Sequence, residues 1–338
     1  MSSAVSGGRW GMKAGALLLA LALTAAALEV VSRVVTNAYG DAWGVSKDDP
    51  RHYYQASSNP LLAYELAPGT YWRGDVRLVI NRYGIRDESD DLAADSRRVA
   101  LLGDSFEFGI WQGQEQTLAA EAQRLLPDER VRVLNLGVPG YAIAEIAENF
   151  EVKDAVYHFN DALYLLNLND FTRRDSVYEG ADNGLYRMYR PAGWRTLYLL
   201  RKAFYRWKKQ GDLRESPETS DEWYRWLFEG NREFARQRFE RMAAYAGQQG
   251  MRFGVVILPV AAAFDAQGEY RLADLSAQIQ EMLGTLGISS IDPARRFASN
   301  PRELIDDTEH PTDAGNKLLA EFVVEWIRQA DEPAAAAR

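Results

Sequence analysis

An α/β fold, a doubly wound parallel sheet covered by helices on both faces, is predicted by three observations. Five short apolar runs recur along the chain, helical patterns separate them, and most stop at glycine, proline or a polar turn residue. The runs are Val99 to Leu102, Val131 to Leu136, Ala162 to Leu168, Gly254 to Leu258 and Ile288 to Ile291. Alternation of this kind buries each strand between two helical layers. Sites in such sheets form at the carboxyl ends of the strands, which puts Ser105, Gly137 and Asn169 along one edge.

The elements in order begin with an apolar run, Ala14 to Leu28, preceded by Arg9 and Lys13 and continued by Val30 and Val31 after Glu29. It has no polar face, unlike a buried core helix. Two readings stand: a cleaved signal peptide, with small residues at Ala25 and Ala27, and an uncleaved anchor nearly long enough to span a bilayer. The anchor is favoured. Positive residues before the run place the rest outside the inner membrane, in the periplasm, or secreted if the segment is cleaved. Residues 1–35 are thus an anchor or signal segment, and 36–96 a stalk and wrapping segment. Within the latter, Tyr71 to Ile80 alternates as a strand and Asn81-Arg82-Tyr83-Gly84 is a turn. Ile85-Arg86-Asp87 reads as a surface loop with an exposed arginine, the other reading being that it reaches toward the cleft.

The first apolar run leads into Gly103-Asp104-Ser105, where glycine permits a sharp bend. A serine there is a candidate nucleophile, although helix caps and turns use serine too. Thr117 caps a helix carrying Leu118, Ala122, Leu125 and Leu126 on one side, and another helix starts near Ile143. Residues 171–230 break the repeat as an insertion rich in Tyr, Trp, Arg and Lys. Its aromatic residues either pack it against the domain or meet a sugar or acyl chain. The last helix carries Leu318, Leu319, Phe322, Val323, Trp326 and Ile327, and 331–338 is a frayed tail.

Just before that helix stands Asp306-Asp307-Thr308-Glu309-His310-Pro311-Thr312. Pro311 biases His310 toward extended backbone and Thr312 caps the helix, so the histidine sits on a fixed loop. An aspartate three residues earlier can fold back to its other ring nitrogen. A hydroxyl nucleophile needs this chemistry: an imidazole to take its proton and a carboxylate to fix the tautomer. His310 alone also fits a structural role, and His52 and His158 have no comparable setting. The 338 residues carry net charge −9 with no basic block, which argues against nucleic acid as a partner. Cysteine is absent, which excludes disulfides and thiolate metal sites.

Four segments in order resemble the SGNH (GDSL) hydrolases: Gly103-Asp104-Ser105, Asn135 to Gly140, Asn169-Asp170, and Asp307-Thr308-Glu309-His310. They bracket residues 97 to 328, within a domain of 97–330. The amino-terminal half is similar to membrane-anchored bacterial members, in the apolar helix ending at Glu29, Pro68-Gly69 and Asn81 to Asp87. The resemblance implies a three-layer flavodoxin-like fold and ester hydrolysis or acyl transfer without metal or cofactor. It makes Ser105 the nucleophile, His310 the general base and then acid, and Asp307 its orienting partner. The amides of Ser105 and Gly137, with the Asn169 side chain, would form the oxyanion hole. One departure is Asn167, where the family has glycine, which bears on the loop's shape.

The expected activity is a serine esterase or deacylase acting through an acyl-enzyme on an acylated small molecule or polysaccharide, such as an O-acyl or O-acetyl group on an envelope glycan. Two alternatives remain open: an O-acyltransferase that passes the acyl group to a glycan, and a non-catalytic glycan-binding or assembly protein on the same fold. Oligomeric state is not legible.

Overall fold

The computed structural model describes residues 6–38, 53–62, 64–73, 76–90, 96–127, 130–172, 196, 221–305 and 310–329. Most of the 171–230 insertion, the stalk residues 39–52, Asp306 to Glu309 and the 331–338 tail lie outside them.

The centre is a five-stranded parallel sheet of β5 (Arg97–Leu102), β6 (Val131–Asn135), β7 (Asp161–Leu166), β8 (Arg252–Ile257) and β9 (Ser289–Ile291), in the order β6-β5-β7-β8-β9. Before it come α1 (Ser6–Ala38) and two antiparallel pairs, β1 (Tyr54–Ala56) with β2 (Tyr64–Leu66) and β3 (Gly69–Arg73) with β4 (Val76–Ile80). The single strand expected over Tyr71 to Ile80 is therefore two arms of a hairpin. Gly74-Asp75 stands between them, a turn dipeptide within an otherwise alternating run.

Alternation along the strands divides the core into two layers. Ala100 and Leu102 of β5 face one side with Ala162, Tyr164, Val255 and Ile257; Val99 and Leu101 face the other with Leu163, Leu165 and Val256. The first face is covered by α4 (Ile143–Tyr157), α5 (Asp221–Gln248) and α6 (Ala273–Thr285). The second is covered by α3 (Leu118–Arg124) and α9 (Asp313–Arg328), with Phe297 of α7 (Ala294–Phe297) and Leu304 of α8 (Pro301–Leu304). Three layers result, with helices on both faces. Trp223 and Tyr224 stand near the start of α5, and Tyr224 is fully buried in the first layer.

The amino-terminal segment closes the first layer. Tyr64, Leu66, Leu78, Ile80 and Ile85 join the core beside α4, and Tyr64 donates its hydroxyl to Pro139 O at 3.0 Å. At the opposite edge of the sheet, buried Asp161 accepts from Arg97 at 2.6 Å and Arg252 at 3.1 Å. One carboxylate thereby ties the starts of three adjacent strands, which fixes their mutual register.

Candidate active site

Ser105, Gly137 and Asn169 each sit just after a strand ends. After Leu102 the chain turns through Gly103, whose missing side chain leaves room for Glu107: a Cβ there would lie 2.8 Å from Glu107 Cβ. Asp104 then caps a short helix, α2 (Ser105–Phe108), accepting the Phe106 N–H on its Oδ1 at 3.0 Å. Burial raises the Asp104 carboxyl above its ordinary value, while that hydrogen bond and the charge of His310 pull it down. Gly109 closes α2 with φ of 74°, the left-handed geometry that glycine adopts without strain. Ser105 thus opens a tight turn, half-buried, and its N–H makes no hydrogen bond among the described residues.

His310 reaches the serine across 205 residues of sequence: Ser105 Oγ and His310 Nε2 are 2.9 Å apart. The contact to Asp104 Oδ2 is longer, at 3.4 Å. The chain that follows the histidine is fixed. Pro311 bridges to Ile305, and Thr312 accepts the Gly315 N–H at 3.1 Å to cap α9. The imidazole stacks on Phe106 with 4.5 Å between centroids and meets the edge of Trp111 at 6.2 Å. Gln112 Nε2 donates to Pro311 O at 2.8 Å, which links the loop after the serine to the loop of the histidine. Asp307 belongs to the residues outside the description.

The other two strand ends flank α2. Gly137 packs on it so closely that a Cβ would lie 2.1 Å from Phe108 N and 2.7 Å from Glu107 C. Backbone cannot give way as a side chain can. We expect Gly137→Ala to displace α2 and to lower kcat by about 100-fold or more, since an ångström of misplacement has that effect. Turnover of an aryl acetate, with a melting curve to check folding, measures it. Asn135 clips the same two segments together, donating Nδ2 to Glu107 O at 2.7 Å and accepting the Gly137 N–H on Oδ1 at 3.0 Å. An oxyanion would share that N–H with Asn135.

Asn169 lies in the turn Leu168–Phe171 after β7, half-buried, and its side-chain amide makes no hydrogen bond among the described residues. Asn167 caps this turn, its Oδ1 accepting from Asn169 N at 3.4 Å, while Asp170 accepts the Asn167 N–H at 3.0 Å. The backbone at Asn167 is extended, with φ of −88°, so nothing there demands the family's glycine.

Arg86 is a correction to the reading of an exposed loop arginine. It is 3 % exposed, and its guanidinium donates to Phe108 O at 2.7 Å, Gly109 O at 2.6 Å and Gln112 O at 2.8 Å. One planar fork thereby holds the far end of α2 and the loop that carries Gln112. No local signal marks this, because all three acceptors come from a distant segment. Asp87 beside it accepts on both carboxylate oxygens from one terminal nitrogen of Arg132, at 2.7 Å each.

Glu107 is also unusual. It is fully buried, and neither carboxyl oxygen has a hydrogen-bond partner among the described residues. Burial pushes its carboxyl well above the ordinary value, against the opposing charge of Arg86. The folded state therefore holds a proton that the unfolded chain releases, and stability falls as pH rises above the ordinary glutamate range. We expect Glu107→Gln to match the wild type near pH 4 and to exceed it at about pH 8. Urea unfolding at both values checks this, and an equal pH slope in the two proteins would contradict it.

Fold and site together define a three-layer α/β protein with a serine–histidine pair at the carboxyl edge of its parallel sheet. No family model matches the chain, and no curated protein matches it. Among solved structures it is similar to the psychrotrophic esterase EstA from Pseudoalteromonas sp., at 10 % identity and TM-score 0.43, over 70 % of this chain and 98 % of that one. The lipase/acylhydrolase from Enterococcus faecalis matches at 16 % identity and TM-score 0.42, over 69 % and 96 %. A member of the lipolytic protein G-D-S-L family from Veillonella parvula matches at 14 % and 0.40, over 69 % and 100 %.

Proposed function

We propose that the chain is a serine ester hydrolase of SGNH type, held at the outer face of the inner membrane by α1. The observation that carries this reading is the 2.9 Å contact between Ser105 Oγ and His310 Nε2, on a half-buried serine at the edge where such sheets place their sites. His310 Nε2 takes the proton as Oγ attacks the ester carbonyl. The resulting oxyanion is received by the Ser105 N–H, the Asn169 side-chain amide and the shared Gly137 N–H. Collapse breaks the bond to the alcohol, which leaves with the proton from His310. Water, deprotonated by the same nitrogen, then attacks the acyl-enzyme and frees the acid and Ser105. The resemblance assigns the orienting carboxylate to Asp307.

The anchor reading is supported by Met12–Val34, a 23-residue, predominantly apolar helical span whose most apolar 18-residue window has no buried residue. At about 1.5 Å per residue such a helix exceeds the roughly 30 Å of a hydrocarbon core. Arg9 ahead of it and Lys13 at its start favour the cytoplasmic side for the amino terminus.

The full chain in detergent should turn over p-nitrophenyl acetate, and acid quenching during turnover should trap an acetyl group on the peptide carrying Ser105. Absence of both turnover and the trapped acetyl would sink the reading in favour of a binding protein. Adding an oligosaccharide acceptor separates hydrolysis from transfer: acetylated sugar in place of free acetate assigns the chain as an acyltransferase.

A further inference from the structure

Beside the serine–histidine pair an open cleft of about 520 Å³ runs between the β3–β4 hairpin, the loop after α2 and the start of α9. Trp111 lines it and is 49 % exposed, so a large apolar ring is left half in water. Its ring stands edge-on to His310, at 85° between planes, which puts the cleft next to the reacting atoms. On the hairpin, Trp72 lies opposite Arg77 in the antiparallel register, and residues so paired project from one face. Trp72 is 53 % exposed, and Arg77 lines the cleft. Trp72 thus stands beside Arg77 on the hairpin, Arg77 and Trp111 share the cleft, and Trp111 meets His310 next to the serine.

The other walls are polar. Arg77 is paired with Glu88, while the carboxylates of Glu115 and Asp313 make no ion pair among the described residues. An acyl chain laid here would cut those carboxylates off from water with nothing in exchange. A pyranose ring offers what the walls lack: C–H faces for the indoles, and hydroxyl donors for the carboxylates. With Arg77 neutralised by Glu88, the surplus charge is negative. That repels a polyuronate, accepts a neutral sugar and attracts an amino sugar.

We propose that this cleft is a carbohydrate subsite, holding neutral or amino-sugar units that adjoin the ester attacked by Ser105; the proposal rests on the ester-hydrolase reading above. Trp111 is the platform within it, Trp72 is a second exposed ring beside Arg77 on the adjoining hairpin, and Glu115 and Asp313 set its charge preference.

The test measures binding of four oligosaccharides to the full chain in detergent by calorimetry: glucose, N-acetylglucosamine, glucosamine and galacturonate oligomers. A fluorophosphonate probe of Ser105 is run alongside. The expected result is that at least one of the first three binds and galacturonate does not. Trp111→Ala and Trp72→Ala should each weaken that binding about tenfold, and Trp111→Phe should retain most of it. Glu115→Gln with Asp313→Asn should lower the preference for glucosamine over glucose. Labelling of Ser105 with no oligosaccharide bound, with galacturonate bound best, or with binding indifferent to both tryptophans would overturn the subsite and leave the hydrolase reading intact. Tryptophan-dependent binding to a folded chain whose serine is never labelled would overturn it as a substrate subsite, and the hydrolase reading with it.

Discussion

Ser105→Ala and His310→Ala are each expected to lower kcat for ester hydrolysis by about 10⁴- to 10⁶-fold, with the double variant no worse than the more impaired single one. The size of the effect follows from the nucleophile's chemistry. A serine hydroxyl is almost wholly protonated at neutral pH, so without Nε2 at 2.9 Å it has no route to the alkoxide. The imidazole in turn contributes nothing once the oxygen is gone, which is why the two losses do not add. Folding should survive both changes, because Ser105 is half-buried at a turn and His310 is held by its neighbours Pro311 and Thr312. Steady-state rates on an aryl acetate, with thermal melts, report both halves. Additive losses would mean that the two side chains act in separate processes.

Arg86→Met should lower stability by about 3–5 kcal/mol and carry much of the activity away with it. The guanidinium is the donor for three carbonyls at the end of α2 and the following loop, and an unsatisfied buried acceptor costs about 1–3 kcal/mol. The sum stays below three full penalties because the loop relaxes and admits water. The same loop carries Gln112, whose amide ties it to Pro311 beside the histidine, so loosening it reaches Ser105 and His310 together. Arg86→Lys keeps the charge but not the planar fork, and is expected to remain at least about 1 kcal/mol below the wild type. Urea unfolding, read with kcat for the same variants, measures this. A loss under about 0.5 kcal/mol for Arg86→Met would show that other donors satisfy these carbonyls.

Much of the sheet was legible because local and tertiary patterns coincide. Val99 to Leu102 are buried on both faces of the sheet, so the run is apolar throughout, and Gly103 then marks its end. Thr117 and Thr312 were legible as caps because a cap is a local event, decided within three residues. The β3–β4 hairpin was missed for the converse reason: alternation continues across Gly74-Asp75, and period alone does not tell one strand from two.

Arg86 and Glu107 mark where reading a sequence stops. An arginine after Gly84 and a glutamate in the first turn of a helix are both ordinary exposed residues by local rules. Arg86 is buried because the carbonyls of residues 108, 109 and 112 are brought to it by the fold, and Glu107 because α2 lies pressed between Gly103 and Gly137. Trp111 carried no signal either, since only the position of His310 gives it meaning. Ser105 and His310 were legible as candidates through residue type and setting, and their contact is a property of the fold.

The measurement that bears most directly on the central claim is labelling of the full-length chain with a fluorophosphonate probe, which reports an activated serine whatever the natural ester. The wild type should be phosphonylated on Ser105 alone, Ser105→Ala should be blank, and His310→Ala should react at least about 100-fold more slowly. A folded wild type that resists the probe, or labelling that persists at full rate without His310, would contradict a serine–histidine hydrolase.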